Sequence, residues 1–294
     1  MASPIVQLPQ AQLQPLLAAY AASVRSRRWH TFLIFACVIV AIVLSSISAE
    51  VAPVKLIENI WRFTSYIVRL FHLENGAAVW TDPVEWYWGL ARWLRLLGET
   101  MLIAYVGTML GAAAAFVLCF FAAANVAPSP WLRFAVRRFC ELCRTVPLLV
   151  YALLFVLAFG LGPMAGVLAV VIHTLGALGK QFAEVVENID MKPVEGVSAT
   201  GAPWHVAMRY GALPQVTSNF VSYTLLRFEI NVRESAIMGF VGAGGIGQDL
   251  IEAIRKFYYS DVSAILVLIL VTVAIIDTLT SKVRHRLIGL EEGR

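Results

Sequence analysis

The sequence predicts an all-α integral membrane protein with about six transmembrane helices. Of its 294 residues, 59% are hydrophobic and 14% are charged, whereas a soluble domain carries about 45–50% apolar and about 25% charged residues. Several apolar runs approach the ~20 residues that a helix needs to cross a bilayer. The basic residues lie at the ends of these runs, as membrane topology signals do, and form no continuous stripe that would bind nucleic acid.

Six apolar segments are expected to cross the bilayer. The first, 31–48, follows several arginines and could be mistaken for a signal peptide, but it starts late and is long, so we interpret it as a retained helix. The other segments are 100–124, 147–160, 165–178, a charged segment that starts near 216, and 262–279. The third and fourth are short, and interrupted helices often surround the permeation route of a transporter.

Charge placement orients the chain and divides it into parts. The chain start, the 125–146 loop and the chain end are basic, which places them on the cytoplasmic side if there are six spans. The tryptophan-rich 49–99 stretch is expected to lie at the external interface. The parts are a cytoplasmic segment 1–30, the first helix with its external loop 31–99, a transmembrane domain 100–281, and a cytoplasmic tail 282–294.

The loop at 193–214 is predicted to form two short cytoplasmic helices. Pro193 suits a first helical position, and Glu195 lies in the first turn, where the helix dipole favours an anion. Gly201 can take the left-handed conformation that ends a helix. A second helix should then begin at Pro203 and end at Leu213-Pro214.

This loop resembles the coupling loop of ABC-importer permeases, which has the form E-A-A-x₃-G-x₉-I-x-L-P. Glu195, Gly201, Leu213 and Pro214 occupy the matching positions. The resemblance implies that these four residues belong to the loop that docks on the ATPase subunit. The sequence departs from the pattern because Gly196-Val197 replaces the two alanines and Gly211 replaces the isoleucine.

A narrower resemblance extends over most of 140–280. The stretches 160–168, 195–201, 213–215, 227–233 and 241–247 are similar to those of phosphonate-importer permeases. This resemblance implies a homodimer in the bacterial cytoplasmic membrane with both termini cytoplasmic. It also implies a cytoplasmic ATPase dimer that binds ATP and Mg, an extracytoplasmic phosphonate-binding protein, and no cofactor on this chain.

The fifth apolar segment contains four charges, which we select with His173 as candidate pathway residues: Arg227, Glu229, Arg233 and Glu234. A charge at the bilayer centre costs about 2.5–3.5 kcal/mol, so each needs a partner or water. On a helix, Glu229 can pair with Arg233, while Arg227, Asn231 and Glu234 share another face. An arginine could therefore meet an anionic substrate, or the charges could only join helices. For His173, a hydrogen-bonded packing role is favoured.

Other motifs are weaker. Gly242, Gly244 and Gly247 fit G-x-G-x-x-G, but that dinucleotide motif requires a preceding strand, so a tight bend is expected. Cys140 and Cys143 lack a second pair that would complete a zinc site, and we expect no metal site and no catalytic residues. A secondary transporter and an intramembrane serine protease are the alternative functions. The secondary transporter has no reason to carry the coupling-loop pattern, and the sequence lacks the G-x-S-x-G motif expected of the protease. Within the importer class, phosphite, phosphate esters or another small solute are alternative substrates.

Overall fold

The computed structural model describes residues 10–49, 53–73 and 75–292, and every regular element within these ranges is a helix. The chain divides into two compact units, Met1–Tyr66 and Ile67–Arg294. The boundary between the units falls within the second helix. The all-α class predicted from the sequence is therefore confirmed.

The first unit consists of α1 (Gln10–Ser48) and most of α2 (Pro53–Leu70). The Ser23–Ser48 part of α1 is apolar enough to cross a membrane, and its side chains are exposed. Such an apolar surface is stable in a bilayer, since lipid tails are as apolar as the side chains. The predicted first span, 31–48, thus lies inside a longer helix. α2 is amphipathic, as expected of a helix that lies at an interface.

The second unit contains the remaining helices, with α7 at its centre. α7 packs against α4, α5, α6 and α10, and α10 in turn packs against α12. The helices are α3 (Pro83–Trp86), α4 (Leu90–Ala122), α5 (Pro130–Thr145), α6 (Leu148–Phe159), α7 (Pro163–Glu187), α8 (Lys192–Ala199), α9 (Trp204–Ala207), α10 (Leu213–Met238), α11 (Gly247–Lys256) and α12 (Tyr259–Glu292).

Four helices in the described residues are long and apolar enough to span a membrane, in α1, α4, α7 and α12. α5 and α6 together make a fifth candidate, bent by 86° at their junction. α10 is long enough, with 26 residues, but its four central charges keep it outside the group of clearly apolar helices. The prediction of about six spans therefore depends on counting both the bent pair and α10.

The α5–α6 bend has a local cause. Val146 adopts an extended conformation, with φ −77° and ψ 126°, immediately before Pro147. The proline ring disfavours a helical conformation in the preceding residue, so the helix stops and restarts in another direction. The predicted third span, 147–160, is therefore the second arm of a broken helix.

The predicted fourth span, 165–178, is too short. α7 continues to Glu187, nine residues beyond the predicted end. The polar residues that suggested an end stay helical because one face remains buried, with Phe182 and Val186 in the core beside α4 and α10. α4 and α12 likewise begin earlier than predicted, at Leu90 and Tyr259.

α4 and α7 approach each other closely because α4 carries glycines at the contact. A Cβ at Gly107 would lie 2.6 Å from the Val170 Cβ, and one at Gly111 would lie 2.8 Å from the Thr174 Cβ. Gly107 and Gly111 have the small-xxx-small spacing that suits close helix packing, so the sequence alone already indicates a contact of this kind. In a membrane, such van der Waals contact is a main source of helix association.

This contact predicts opposite effects for two Gly→Ala substitutions in α4. Gly107→Ala should lower the unfolding free energy by about 1–3 kcal/mol, because the added methyl group pushes Val170 and the α7 backbone away from α4. Gly98→Ala is the matched control, since no heavy atom lies within 4 Å of its added Cβ, and it should stabilise the helix by up to about 1 kcal/mol.

The unfolding midpoints of the two variants are measured in detergent, with size-exclusion retention after heating as the readout. An equal unfolding midpoint for Gly107→Ala and wild type would contradict the close α4–α7 contact.

Candidate functional site

The predicted coupling loop begins as a helix–glycine–helix turn. α8 carries Pro193 in its first turn and an exposed Glu195 one turn from its start. Gly201 follows with φ +81°, and no heavy atom lies within 4 Å of its hypothetical Cβ. The chain then enters α9 directly after Pro203. The first helix, its glycine end and the start of the second helix are thus confirmed.

The predicted end of the second helix at Leu213-Pro214 is wrong. α9 continues through a single π-helical turn, Met208–Ala212, into α10, so Leu213 and Pro214 form the first turn of that long helix. Proline lacks a backbone N–H group. It is tolerated there because the π turn changes the hydrogen-bond register of the helix, so that this N–H is not required. The loop is therefore continuous with a helix of the transmembrane core.

α8 is held against this continuous helix by a small contact. The Val194 side chain is 5% exposed and belongs to a cluster with Ala207, Met208 and Ala212. A Cβ at Gly211 would lie 2.7 Å from the Val194 Cα. The α8 backbone thus occupies the space that a side chain at position 211 would need. This explains why glycine stands where the related pattern has isoleucine.

Two side chains join the loop to the ends of the transmembrane helices. Trp204 Nε1 donates to the Val126 carbonyl at 2.7 Å, and its ring stacks on Phe121 with centroids 5.3 Å apart. Gln215 Nε2 donates to the carbonyls of Gly211 at 2.7 Å and Asp190 at 3.0 Å. The loop is therefore attached to the segment after α4 and to the start of α10.

An ion pair joins α5 to the ends of α4 and α7 on the same side. Arg137 of α5 pairs with Glu187 of α7, and its Nε donates to the Ala122 carbonyl of α4 at 2.8 Å. Glu187 also accepts from the Ala124 amide at 2.7 Å. This pair was not predicted from the sequence, because its members are separated by 50 positions.

The charges of α10 occupy two faces, as predicted. On the first face, Arg233 pairs with Glu229 and also donates to both Asp277 oxygens of α12, at 3.1 and 3.2 Å. Thr280 donates to Glu229 at 3.3 Å. Asp277 was missed by sequence analysis, although an acid within an apolar segment is itself a signal of a partner.

The second face of α10 points into the core. Asn231 is 1% exposed and donates from Nδ2 to Thr108 of α4 at 2.7 Å and to Thr174 of α7 at 2.9 Å. Arg227 and Glu234 lie on this face as well, and their nearest charged atoms are 3.8 Å apart. The structure thus separates the candidate arginines: Arg233 joins helices, and Arg227 lies inside.

His173 is half-buried on α7 and bonds to the break between α5 and α6. Its Nδ1 lies 3.3 Å from the Val146 carbonyl oxygen, an acceptor left without a helical partner by the bend. Since a carbonyl only accepts, Nδ1 carries the hydrogen in this contact. This geometry agrees with the hydrogen-bonded packing role favoured for His173.

The glycine run at 242–247 forms a tight loop at the opposite end of α10 from the coupling loop. Gly245 N donates to the Glu99 carboxylate at 3.1 Å, and Ile246 N donates to Thr100 Oγ1 at 2.9 Å. Gly162 N, between α6 and α7, donates to the Gly242 carbonyl at 2.9 Å. The run follows a helical turn, Gly239–Val241, so the strand of a dinucleotide site is absent at this point.

The cysteine pair serves helix packing. Cys140 and Cys143 are buried, and a Cβ at Gly176 or Gly179 of α7 would lie 2.8 Å from the nearest atom of one of their side chains. The thiols therefore fill the α5–α7 contact.

The loop geometry predicts that Gly211→Ala loosens α8. The added methyl group would displace the Val194 backbone, and we expect a loss of about 1–3 kcal/mol of local stability and faster proteolysis between 192 and 203. Gly196→Ala is the matched control, because nothing lies within 4 Å of its Cβ. Limited proteolysis with mass mapping measures both, and cleavage of the Gly211→Ala loop at the wild-type rate would refute the contact.

Comparisons with known proteins agree with this geometry. The model of the family described as "binding-protein-dependent transport system inner membrane component" matches residues 115–287. The phosphite transport system permease protein PtxC of Stutzerimonas stutzeri is 39% identical over 196 residues, which cover 67% of this chain and 71% of that protein. The phosphate-import permease protein PhnE of Mycolicibacterium smegmatis is 40% identical over 65% of this chain and 36% of its own length.

A further relative and a solved structure extend the comparison. The putative cryptic phosphonate transport system permease protein PhnE2 of Escherichia coli K12 is 50% identical over 41% of this chain and 99% of its own. An inward-facing structure of the MetNI methionine ABC transporter has the same fold, with TM-score 0.58 and 19% identity over 70% of this chain and 98% of that chain. The chain belongs to the family of inner membrane components of binding-protein-dependent transport systems.

Proposed function

We propose that this chain is the permease subunit of an ATP-driven importer for phosphonates, phosphite or a related small phosphorus oxyanion. The observation that carries the substrate class is the agreement among the relatives, whose names refer to phosphite, phosphonate and phosphate transport at 37–50% identity. As a family member, the chain is a membrane component of a transport system and not its catalytic subunit.

The proposed assembly has two copies of this chain, a dimer of ATPase subunits that bind ATP and Mg in the cytoplasm, and an extracytoplasmic binding protein. The substrate would cross between the two copies, in the bacterial cytoplasmic membrane and with both termini in the cytoplasm. Support for this orientation comes from the arginines before the apolar part of α1 and from the basic residues near the end of α12.

In this proposal, α8, Gly201 and α9 act as the lever that the ATPase moves. The exposed Glu195 lies on the outer side of the lever. Trp204 joins it to the α4 end, and the π turn joins it to α10 without a flexible linker. Movement of the loop would therefore rotate or shift α10 and, through Asn231, its neighbours α4 and α7. ATP binding drives this change only if it favours one arrangement of the helices over the other.

The alternatives predict different behaviour. A secondary transporter would move its solute without an ATPase and gives no reason for a packed coupling loop. A permease of the same class for a solute without phosphorus would depend on ATP but respond to another ligand. The substrate panel below distinguishes these possibilities.

The direct test measures ATP hydrolysis and uptake by the complete complex in lipid vesicles. The complex is assembled from this chain, its ATPase and its binding protein. Methylphosphonate, phosphite and inorganic phosphate form the test panel, and sulfate and methionine serve as controls. Stimulation by one or more phosphorus oxyanions alone is the expected result. Stimulation by methionine or sulfate, or uptake without ATP, would overturn the proposed function.

Gly201 allows a sharp test of the lever. Gly201→Val should lower ligand-stimulated ATP hydrolysis at least about tenfold, since a β-branched residue cannot easily adopt its positive φ. Gly201→Asn is the matched control, because asparagine tolerates the left-handed region and the space around the Cβ is open. Co-purification of the ATPase subunit is measured for both variants, and wild-type stimulation in Gly201→Val would argue against the lever.

A further inference from the structure

The middle of α10 contains buried polar atoms without hydrogen-bond partners among the described residues. These are Arg227 Nε and Nη2, Asn231 Oδ1, Glu234 Oε2 and Ser235 Oγ. Arg227 lies 14 residues after the start of α10, or about 21 Å along the helix axis, which places it near the middle of a membrane-spanning helix. Buried donors without partners are costly, so such a group requires an explanation.

The two arginines of α10 differ in how their charge is compensated. Arg233 contacts two carboxylates, Glu229 and Asp277, and is 47% exposed at its side chain. Arg227 is 12% exposed, and its nearest carboxylate atom, Glu234 Oε2, lies 3.8 Å away, beyond hydrogen-bond distance. Arg227 therefore has two buried guanidinium donors without a partner among the described residues, whereas Arg233 directs one nitrogen, Nη2, to both of its carboxylates.

A polar cleft of about 500 Å³ opens between α7 and α10 at the coupling-loop end. Its α10 wall is formed by Gln215, Asn219 and Tyr223, which follow each other at intervals of four residues. Arg227 is the next residue of this series, one helical turn deeper, because residues four apart form a continuous ridge on a helix. The cleft thus leads from the cytoplasmic end of the helix pair toward Arg227.

We propose that Arg227 is the substrate-contacting residue of the permease and binds the phosphorus oxyanion through the guanidinium edge that Glu234 leaves free. This inference rests on the proposed function and assigns its substrate class to one residue. Arginine suits the role because its planar donors match two oxygens of a phosphonate, phosphite or phosphate group. Arg233, Glu229 and Asp277 hold α10 to α12 and do not contact the substrate.

Glu234 limits how tightly the anion is held. Its carboxylate competes with the substrate for Arg227 and repels the bound anion, so that the anion leaves readily. The cleft also weakens anion binding, because its lining includes the acidic residues Glu184 and Asp190. Glu184 pairs with Lys180. A permease needs such weak binding, since a strongly held anion would block release into the cytoplasm.

Paired charge removal separates a substrate role from a structural one. In Arg227→Met/Glu234→Gln, both charges of the pair are removed together, so a purely structural ion pair predicts that folding and uptake both survive. We expect this double variant to unfold at the wild-type temperature, but to lose at least about tenfold in methylphosphonate, phosphite or phosphate uptake. Uptake at the wild-type rate would overturn the assignment.

A binding measurement gives an independent readout. Equilibrium dialysis of radiolabelled inorganic phosphate with the permease–ATPase complex, without binding protein, compares wild type, Glu234→Gln and Arg227→Met. We expect Glu234→Gln to bind at least about tenfold more tightly than wild type and Arg227→Met to show no binding. Equal binding by Glu234→Gln and Arg227→Met would overturn the proposal.

Failure of the broader function has a different signature. If wild type transports none of the three phosphorus oxyanions, the proposed function fails, and binding of phosphate by Glu234→Gln that Arg227→Met abolishes would still support an anion site. If wild type transports them and the double variant does so equally well, the function stands and the role of Arg227 fails.

Discussion

One buried amide joins the three central helices of this protein. Asn231 extends from α10 and donates to a threonine on α4 and a threonine on α7. No water in the bilayer core could replace these partners, so the polar contact is satisfied only when all three helices are in register. Gly111 makes this possible, because its missing side chain allows Thr174 to approach α4.

The two ends of the helix bundle are built differently. At the coupling-loop end, the Arg137 ion pair and the Trp204 indole hydrogen bond join neighbouring segments to one another. At the other end, backbone amides of the glycine loop meet Glu99 and Thr100 of α4. Both ends are thus attached to α4.

Local patterns predicted much of this arrangement. The glycines of α4, the left-handed Gly201 and the Glu229–Arg233 pair were accessible because each depends on residues within a few positions of one another. The Arg137–Glu187 pair and the role of Asp277 were not, since they depend on which helices become neighbours. The length of α7 was underestimated because polar residues on one face do not end a helix whose other face is buried. The domain boundaries inferred from the sequence remain predictions.

The π turn at 208–212 affects which side chains of α10 face the transmembrane core. Each residue of a helix turns the chain by about 100°, so the extra residue accommodated in this turn sets which side chains of α10 face inward. A helix of uniform α geometry from Trp204 onward would present a different set of side chains to α4 and α7. Arg227 and Asn231 would then turn together, by about 100°, away from the face that they now share. A short irregularity next to the coupling loop thus fixes the rotational position of the entire α10 helix, and a single insertion or deletion there would turn its polar face by about 100° relative to the loop.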